Sequence, residues 1–319
     1  MVAIFYFRDQ IQFMYDIIGD VHGYAALLKK LLIQMGYKKT PDGYSHPGRK
    51  AVFVGDFINR GPQIRKSVKI VRKMVENGNA RAILGNHELY ALIVDAGKKS
   101  NTQLIKTPKK NFTSVFKALG EFTSRKEEWD SHMKWMRTLP FFIETEDLRF
   151  VHACWSDSAI EYLKNVLPPG KIKRKVFREL YKHPDSELSK NIWLTTKGVY
   201  FKMPGDLKVK NNKGVIPQSF RTRWWQEPTG MTFRDLSFES KYELPEYSVP
   251  EQLLPKHYPY TPDKPPVFFG HYCRGNGPFL ISSNICCIDS CVTGKKMLSA
   301  YRWEGEKELT ENNLIQVKS

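Results

Sequence analysis

KAVFVGDFINRG, residues 50–61, reads as a buried strand that hands its last residues to a chemical site. Ala51, Val52, Phe53 and Val54 form a continuous apolar run, the pattern of a strand covered on both faces. The run ends at Gly55 and the carboxylate of Asp56, and the chain turns at Gly61 and Pro62. Four other stretches repeat the pattern: YDIIGD (15–20), RAILGNHE (81–88), LRFVHA (148–153) and PVFFGH (266–271). Each is a short apolar run ending in a carboxylate, amide or imidazole, usually beside a glycine. Taken singly, an aspartate or histidine after a strand is ordinarily a turn former or a structural hydrogen-bonding group. Recurrence over five strands points to one shared site. Of the eight histidines, four (His22, His87, His152 and His271) stand at these ends. His46, His132, His183 and His257 lie in polar or proline-containing surroundings and carry no such expectation.

Helical patterns separate the first three runs. In YAALLKKLLIQMG (24–36), Leu27, Leu28, Leu31, Leu32 and Met35 share one stripe that stops at Gly36. PQIRKSVKIVRKMVENG (62–78) places a proline in the first turn and stops at Gly78. The order β-α-β-α-β implies parallel strands with helical crossovers, whose ligands collect outside the carboxyl ends of the strands. All five polar residue sets lie at that end.

With 319 residues, 41% of them hydrophobic and 13% aromatic, the chain can bury a substantial core. No apolar run approaches the length of a membrane span, and MVAIFYFRDQ at the start is interrupted by Arg8 and Asp9, which makes it a poor signal peptide. Residues 1–13 are expected to be an extension outside the fold, and 14–319 a single domain. The five cysteines form no C-x-x-C pair and no even-numbered framework, which suits a reducing, cytoplasmic compartment. The net charge of +17 favours an anionic partner: a phosphorylated protein, a nucleotide or a nucleic-acid end. Its basic runs are RKSVKIVRK (65–73), KTPKK (106–110) and KIKRKVFR (171–178), the first two read as helix faces or loop tips.

Asp20, His22, Asp56, Asn86, His152 and His271 offer carboxylate, amide and imidazole donors with no thiolate, a set suited to manganese, iron or zinc. Six ligands exceed what one catalytic ion with open water positions takes. They fit two divalent ions about 3.5–4 Å apart that share a carboxylate, with an activated water attacking phosphorus as hydroxide.

GDVHG (19–23), GDFINRG (55–61), GNHE (85–88), VHACW (151–155) and GHY (270–272) resemble, in order, the signatures of calcineurin-like metallophosphoesterases. The phosphoprotein phosphatase superfamily is the nearest branch; its bacterial members include protein Ser/Thr phosphatases, symmetrical diadenosine tetraphosphatases and the phosphatase module of polynucleotide kinase-phosphatases. CIDSCVTGKKMLSAYRWEG (287–305) resembles the family's closing hairpin. The resemblance implies an α/β fold of two mixed β-sheets packed as a sandwich flanked by helices. It implies that Asp20 and His22 hold one ion, Asn86, His152 and His271 the other, with Asp56 bridging. Arg60 would bind phosphate and His87 would protonate or position the leaving group. Arg221 or Arg223 would supply a second phosphate-binding arginine, and Tyr272 of the GHY block would join the substrate site.

The chain departs from that pattern at Asn59, where many of the family's protein phosphatases carry an aspartate behind the GNHE histidine. The amide carbonyl can accept from His87 but brings no negative charge, so His87 is expected to be harder to protonate. HACWSD (152–157) also lacks the glycines usual after that histidine.

Residues 157–265 carry no strong motif and read as an insertion forming a rim to the site. AIEYLKNVL and KRKVFRELYK suggest short helices. NIWLTTKGVYFKMPGD and LKVKNNKGVIPQSFRTRWW suggest strands around a hairpin that turns at NNKG. Seven prolines from Pro245 to Pro266 indicate an extended loop. Trp224 and Trp225 could stack a base but suit a core better. The leading expectation is a dinuclear phosphomonoesterase, a protein Ser/Thr phosphatase among its forms. The runner-up is a nucleotide or nucleic-acid-end phosphohydrolase. A non-catalytic phosphate-binding protein is the third, disfavoured by the intact ligand set.

Overall fold

The computed structural model describes residues 14–98, 112–205, 207, 209, 218–238, 243–256 and 259–319. β1 (Met14–Ile18) leads to α1 (Ala25–Gln34), and a hairpin of β2 (Lys38–Thr40) and β3 (Gly43–Ser45) precedes β4 (Arg49–Phe53). α2 (Ile64–Glu76), β5 (Ala80–Ala82) and α3 (Asn86–Lys98) complete the first half. α4 (Thr113–Glu121), α5 (Lys126–Met136), β6 (Phe142–Glu144) and β7 (Arg149–Val151) follow. Next come α6 (Asp157–Val166), α7 (Arg174–Lys182), α8 (Glu187–Lys197), the pair β8 (Tyr200–Lys202) and β9 (Ser219–Arg221), and α9 (Phe233–Leu236). The chain closes with β10 (Val267–Phe269), β11 (Phe279–Ser282), β12 (Ile285–Cys287), α10 (Val292–Lys295), β13 (Met297–Trp303) and β14 (Leu314–Lys318).

Two five-stranded mixed sheets result, ordered β14-β13-β1-β4-β5 and β11-β12-β10-β7-β6. β1, β4 and β5 are mutually parallel in the first, and β12, β10 and β7 in the second. Side chains alternate across each strand, so each sheet has two faces to cover. Ile17, Val52, Val54, Ile83 and Tyr301 face Phe150, Phe268, Cys286 and Ile288 between the sheets. On the outer face of the first sheet, Ala51, Phe53 and Ala82 pack against Leu28 and Leu31 of α1 and Val68 and Val71 of α2. Each such large aliphatic or aromatic side chain contributes about 1.5–3 kcal/mol by burial. The α/β sandwich flanked by helices is therefore the fold that the motif resemblance implies.

The far face of the second sheet is covered by the middle of the chain. Val151, Val267, Phe269 and Cys287 pack against Trp224, Trp225 and Tyr260. Trp224 and Trp225 are thus core and offer no exposed face to a base. The two helices expected after residue 157 form as α6 and α7, and β8 pairs with β9 antiparallel. NIWLTTK is helical, against the strand expectation. Ser186 caps the amide of Ser189, and Ser189, Ile192 and Thr196 fall on one buried stripe, so capping and packing outweigh the β preference of its branched residues. Pro62 lies just outside α2, which begins at Ile64. The expected NNKG turn, the KTPKK run, residues 1–13 and His257 lie outside the described residues.

Cys273 and Cys291 form a disulfide, contrary to the absence of pairing expected from their spacing. Parallel β10 and β12 bring the loops that follow them to one end of the sheet, a proximity that sequence separation hides. Cys154, Cys286 and Cys287 are buried and unbridged. Among the described residues no helix is long and apolar enough to cross a membrane.

Candidate active site and metal centre

Because β1, β4 and β5 are parallel, their following loops emerge together and carry Asp20, His22, Asp56 and Asn86. β7 and β10, also parallel, deliver His152 and His271 to the same place from the other sheet. Asp56 stands at the centre. Its Oδ2 lies 3.6 Å from His22 Nε2 and its Oδ1 3.5 Å from His152 Nε2. His22 Nε2 is 3.8 Å from Asp20 Oδ2, and His152 Nε2 is 3.1 Å from Asn86 Oδ1. His271 donates its backbone N–H to Asp20 at 3.2 Å while its ring Nε2 has no hydrogen-bond partner. All six expected ligands are thus brought together.

Backbone strain concentrates here. Among the described residues seven non-glycine residues have positive φ, and five of them are His22, Asp56, Asn59, Arg60 and His271. Such conformations cost on the order of 1–3 kcal/mol when unsupported, and they persist where the surroundings enforce them. At Gly85 any side chain is excluded, because a Cβ there would run into both the carboxylate and the backbone nitrogen of Asp56.

The donor set fits two divalent cations sharing Asp56. His22, Asp56 and His87 form one group of converging donor atoms, and Asp56, His152 and His271 a second, each within 4.8 Å. The first group contains His87 where the resemblance placed Asp20. Both outward imidazole nitrogens lean on backbone carbonyls, His152 Nδ1 on Val54 at 2.7 Å and His22 Nδ1 on Ile58 at 3.4 Å. That support turns each Nε2 toward the centre, the orientation that metal-ligating histidines require. Electrostatics agree. Burial, then Asp289 and Asp56, push the Asp20 carboxyl well above its usual range. His152 is driven up to about 10 by Asp56 against its own burial, and Asp56 is held low against burial by His152 and His87. Buried carboxylates converging in this way call for positive charge.

Asn59 is fully buried, and its amide nitrogen lies 3.2 Å from both His87 Nδ1 and the His87 backbone oxygen. The carbonyl contact fixes the orientation, since a flipped amide would set oxygen against oxygen. Asn59 therefore donates to His87, where acceptance was expected. On the other side of the ring Arg60 Nε points at His87 Nε2 from 3.0 Å. A neutral imidazole has one lone pair and one N–H, so it can satisfy only one of these two donors. Arg60 is the exposed one of the two. Burial, helped by Arg60 and opposed by Asp56, lowers His87 to about 4.

Of the remaining candidates, Arg221 donates to the His271 backbone oxygen at 2.6 Å and stacks over Tyr272, its guanidinium carbon 5.1 Å from the ring centroid. Arg223 makes no side-chain contact with a site residue among the described residues. Tyr272 is fully buried against Trp225, Phe238 and Phe269, so it supports Arg221 from beneath and is not open to substrate.

The sequence profile of the calcineurin-like phosphoesterases matches residues 15–275. The chain belongs to that family. This phosphoesterase is 34% identical over 136 residues to the symmetrical bis(5'-nucleosyl)-tetraphosphatase of Hamiltonella defensa, covering 42% of the chain and 41% of that protein. It is 45% identical over 73 residues to the asymmetrical bis(5'-nucleosyl)-tetraphosphatase PrpE of Oceanobacillus iheyensis, covering 23% of the chain and 29% of that protein. The chain thus spans less than half the length of these curated relatives. A crystal structure of a mutant cold-active protein tyrosine phosphatase shares the fold, with a TM-score of 0.50 at 14% identity over 92% of the chain and 79% of that protein. Members of this family are phosphoric ester hydrolases that bind divalent metals, and the two converging donor groups are candidates for such ions.

Sequence reasoning passed over Glu88, the last residue of GNHE. Its buried carboxylate accepts the amides of Asp56 at 2.7 Å, Gly85 at 2.9 Å and Ile58 at 3.1 Å, tying the second and third motif loops together. Burial beside Asp56 pushes the Glu88 carboxyl up to about 8, while those amides favour its ionised form. Its place closing the GNHE block, two residues after Asn86, was the available signal.

Proposed function

We propose that this phosphoesterase holds two divalent ions, manganese first among the candidates, and prefers phosphoanhydride bonds of nucleotides, dinucleoside polyphosphates above all. Asp20, His22, Asp56, Asn86, His152 and His271 would hold the ions. Bound there, the ions supply Lewis acidity toward phosphoryl oxygens and an activated water. Arg60 turns from His87 to the phosphoryl oxygens, where a guanidinium fork matches the geometry and the growing charge.

The observation that carries the substrate class is the Asn59 amide on His87 Nδ1. An N–H donor behind the ring favours the neutral tautomer with its proton on Nε2, a hydrogen-bond donor but a poor acid. Serine and threonine alkoxides need a proton to leave; a nucleotide phosphate departs as a stable anion. The order of the two enzymatic readings drawn from sequence is therefore reversed. The names of the tetraphosphatase relatives point the same way.

The test compares kcat/KM of the manganese-loaded protein on diadenosine tetraphosphate, p-nitrophenyl phosphate, phosphoserine and phosphothreonine peptides, and 3′-phosphorylated oligonucleotides. The anhydride should exceed the phosphopeptides by roughly a hundredfold or more, the usual worth of a well-matched general acid. Equal or faster phosphopeptide turnover would return the assignment to a protein phosphatase.

A further inference from the structure

The middle of the chain sets one cation against Tyr90, the ring that packs on His87, and no motif announces it. Lys197 is the last residue of α8. Its ammonium lies 3.8 Å from the centroid of Trp193, one turn back on the same helix, and 5.2 Å from that of Tyr90 on α3. Tyr90 in turn stands edge-on to His87, centroids 5.7 Å apart, with its hydroxyl within hydrogen-bond reach of the Asn86 side chain. Two rings thus hold the charge by cation–π attraction, and one of them touches the third motif directly. Gly198 makes the placement possible. Its φ is +79°, and a Cβ there would collide with the Tyr272 hydroxyl, so the chain turns immediately after Lys197 and enters β8. Arg221 stands at the other side of the centre, beside His271.

We infer that Lys197 is a specificity-determining residue that receives the leaving phosphate of a phosphoanhydride on the His87 side of the site. The inference rests on the proposed preference for anhydrides. Water attacks phosphorus, the bond from phosphorus to the bridging oxygen breaks, and that oxygen keeps the electron pair as part of a nucleotide phosphate. The new negative charge needs a cation and no proton. A lysine is suited to this: a compact charge that pairs with phosphate and cannot protonate an alkoxide as readily as an imidazolium. Trp193 and Tyr90 draw the ammonium off bulk water beforehand, which strengthens its pull on an arriving anion.

Lys197→Met keeps the stem and removes the charge, and Lys197→Arg restores a charge. Each is assayed on diadenosine tetraphosphate and on p-nitrophenyl phosphate, whose leaving group carries no phosphate, and each is titrated calorimetrically with ADP. Lys197→Met should lower kcat/KM on the tetraphosphate by roughly thirtyfold or more while leaving the aryl ester within about threefold. ADP binding should weaken by about tenfold, and Lys197→Arg should recover most of both effects. Equal losses on both substrates, or ADP binding that ignores the substitution, would overturn the assignment. A wild-type protein that prefers phosphopeptides defeats the anhydride reading before any variant is made, and the ADP titration still decides whether Lys197 binds phosphate.

Discussion

The candidate ligand cradle and the middle of the chain are built on opposite plans. In the cradle every working side chain follows a parallel strand of a two-sided sheet, and adjacent residues in a motif remain neighbours in space. Its geometry is enforced by backbone: positive φ at His22, Asp56 and His271, and three amides on Glu88. The middle of the chain is held by side chains, with Trp224 and Trp225 filling the outer face of the second sheet and Lys197 resting on Trp193 and Tyr90. The difference teaches where chemistry and selectivity separate. On the proposed function, the shared backbone frame would carry the phosphoryl chemistry and the aromatic-packed middle of the chain would choose among leaving groups.

The largest effect should come from the centre of the cradle. Asp56→Asn removes the shared charge, and activity should fall on the order of a thousandfold with loss of bound metal measured by elemental analysis. The fold should persist, because Asp56 follows its strand. A fully active variant would break the two-ion reading.

Glu88→Gln comes next and tests whether the cradle is backbone-built. The new NH2 meets N–H donors, so metal affinity should drop roughly tenfold to a hundredfold and stability by about 1–3 kcal/mol. Metal titration followed by thermal unfolding checks both. Arg60→Ala lies at the boundary of the two regions: inhibition by vanadate or tungstate should weaken about tenfold with metal content unchanged. Unaltered inhibition would make Arg60 structural.

Asn59→Asp is expected to act selectively. A carboxylate behind His87 favours the imidazolium, so turnover of alkyl phosphates should rise several-fold more than that of aryl phosphates or anhydrides, about 1.4 kcal/mol for each unit of pKa regained. Parallel changes on all substrates would assign Asn59 to metal geometry. The smallest effect sets the background for pH work. His132 lies on α5, buried, with Arg72 3.3 Å from Nδ1 and Glu128 3.6 Å from Nε2. Burial and Arg72 lower it to about 4, against Glu128 and Glu76. The unfolded chain then binds the extra proton first. Stability should be complete above the ordinary histidine pKa of about 6.5 and decline as pH falls toward 4, by about 1 kcal/mol near pH 5.5. Unfolding midpoints of the wild type and His132→Gln across that window check the slope.

The strands, the first two crossover helices and the ligand residues were legible because each depends on local pattern. A doubly covered strand must be apolar throughout, and a ligand at its end must be a donor beside a residue small enough to admit it. Asp20, Asp56 and His152 are recognisable for that reason. The middle of the chain was legible only in part. NIWLTTK is locally ambivalent, and its helix is decided by the Ser186 cap and a partner surface supplied from elsewhere. That Arg221 meets His271 depends on β9 ending beside that residue, and the burial of Tyr272 depends on Trp225 and Phe238 arriving from another segment. The Cys273–Cys291 bridge and the approach of Lys197 to Tyr90 join residues whose separation along the chain carries no record of their contact. By itself the sequence determined the parallel frame and the set of candidate donors gathered at its end, since both follow from periodicity and residue type along single strands. Only the tertiary structure decided the orientation of the Asn59 amide, the partner of Arg60 and the seat of Lys197 on Tyr90, because each is a contact between side chains from different elements.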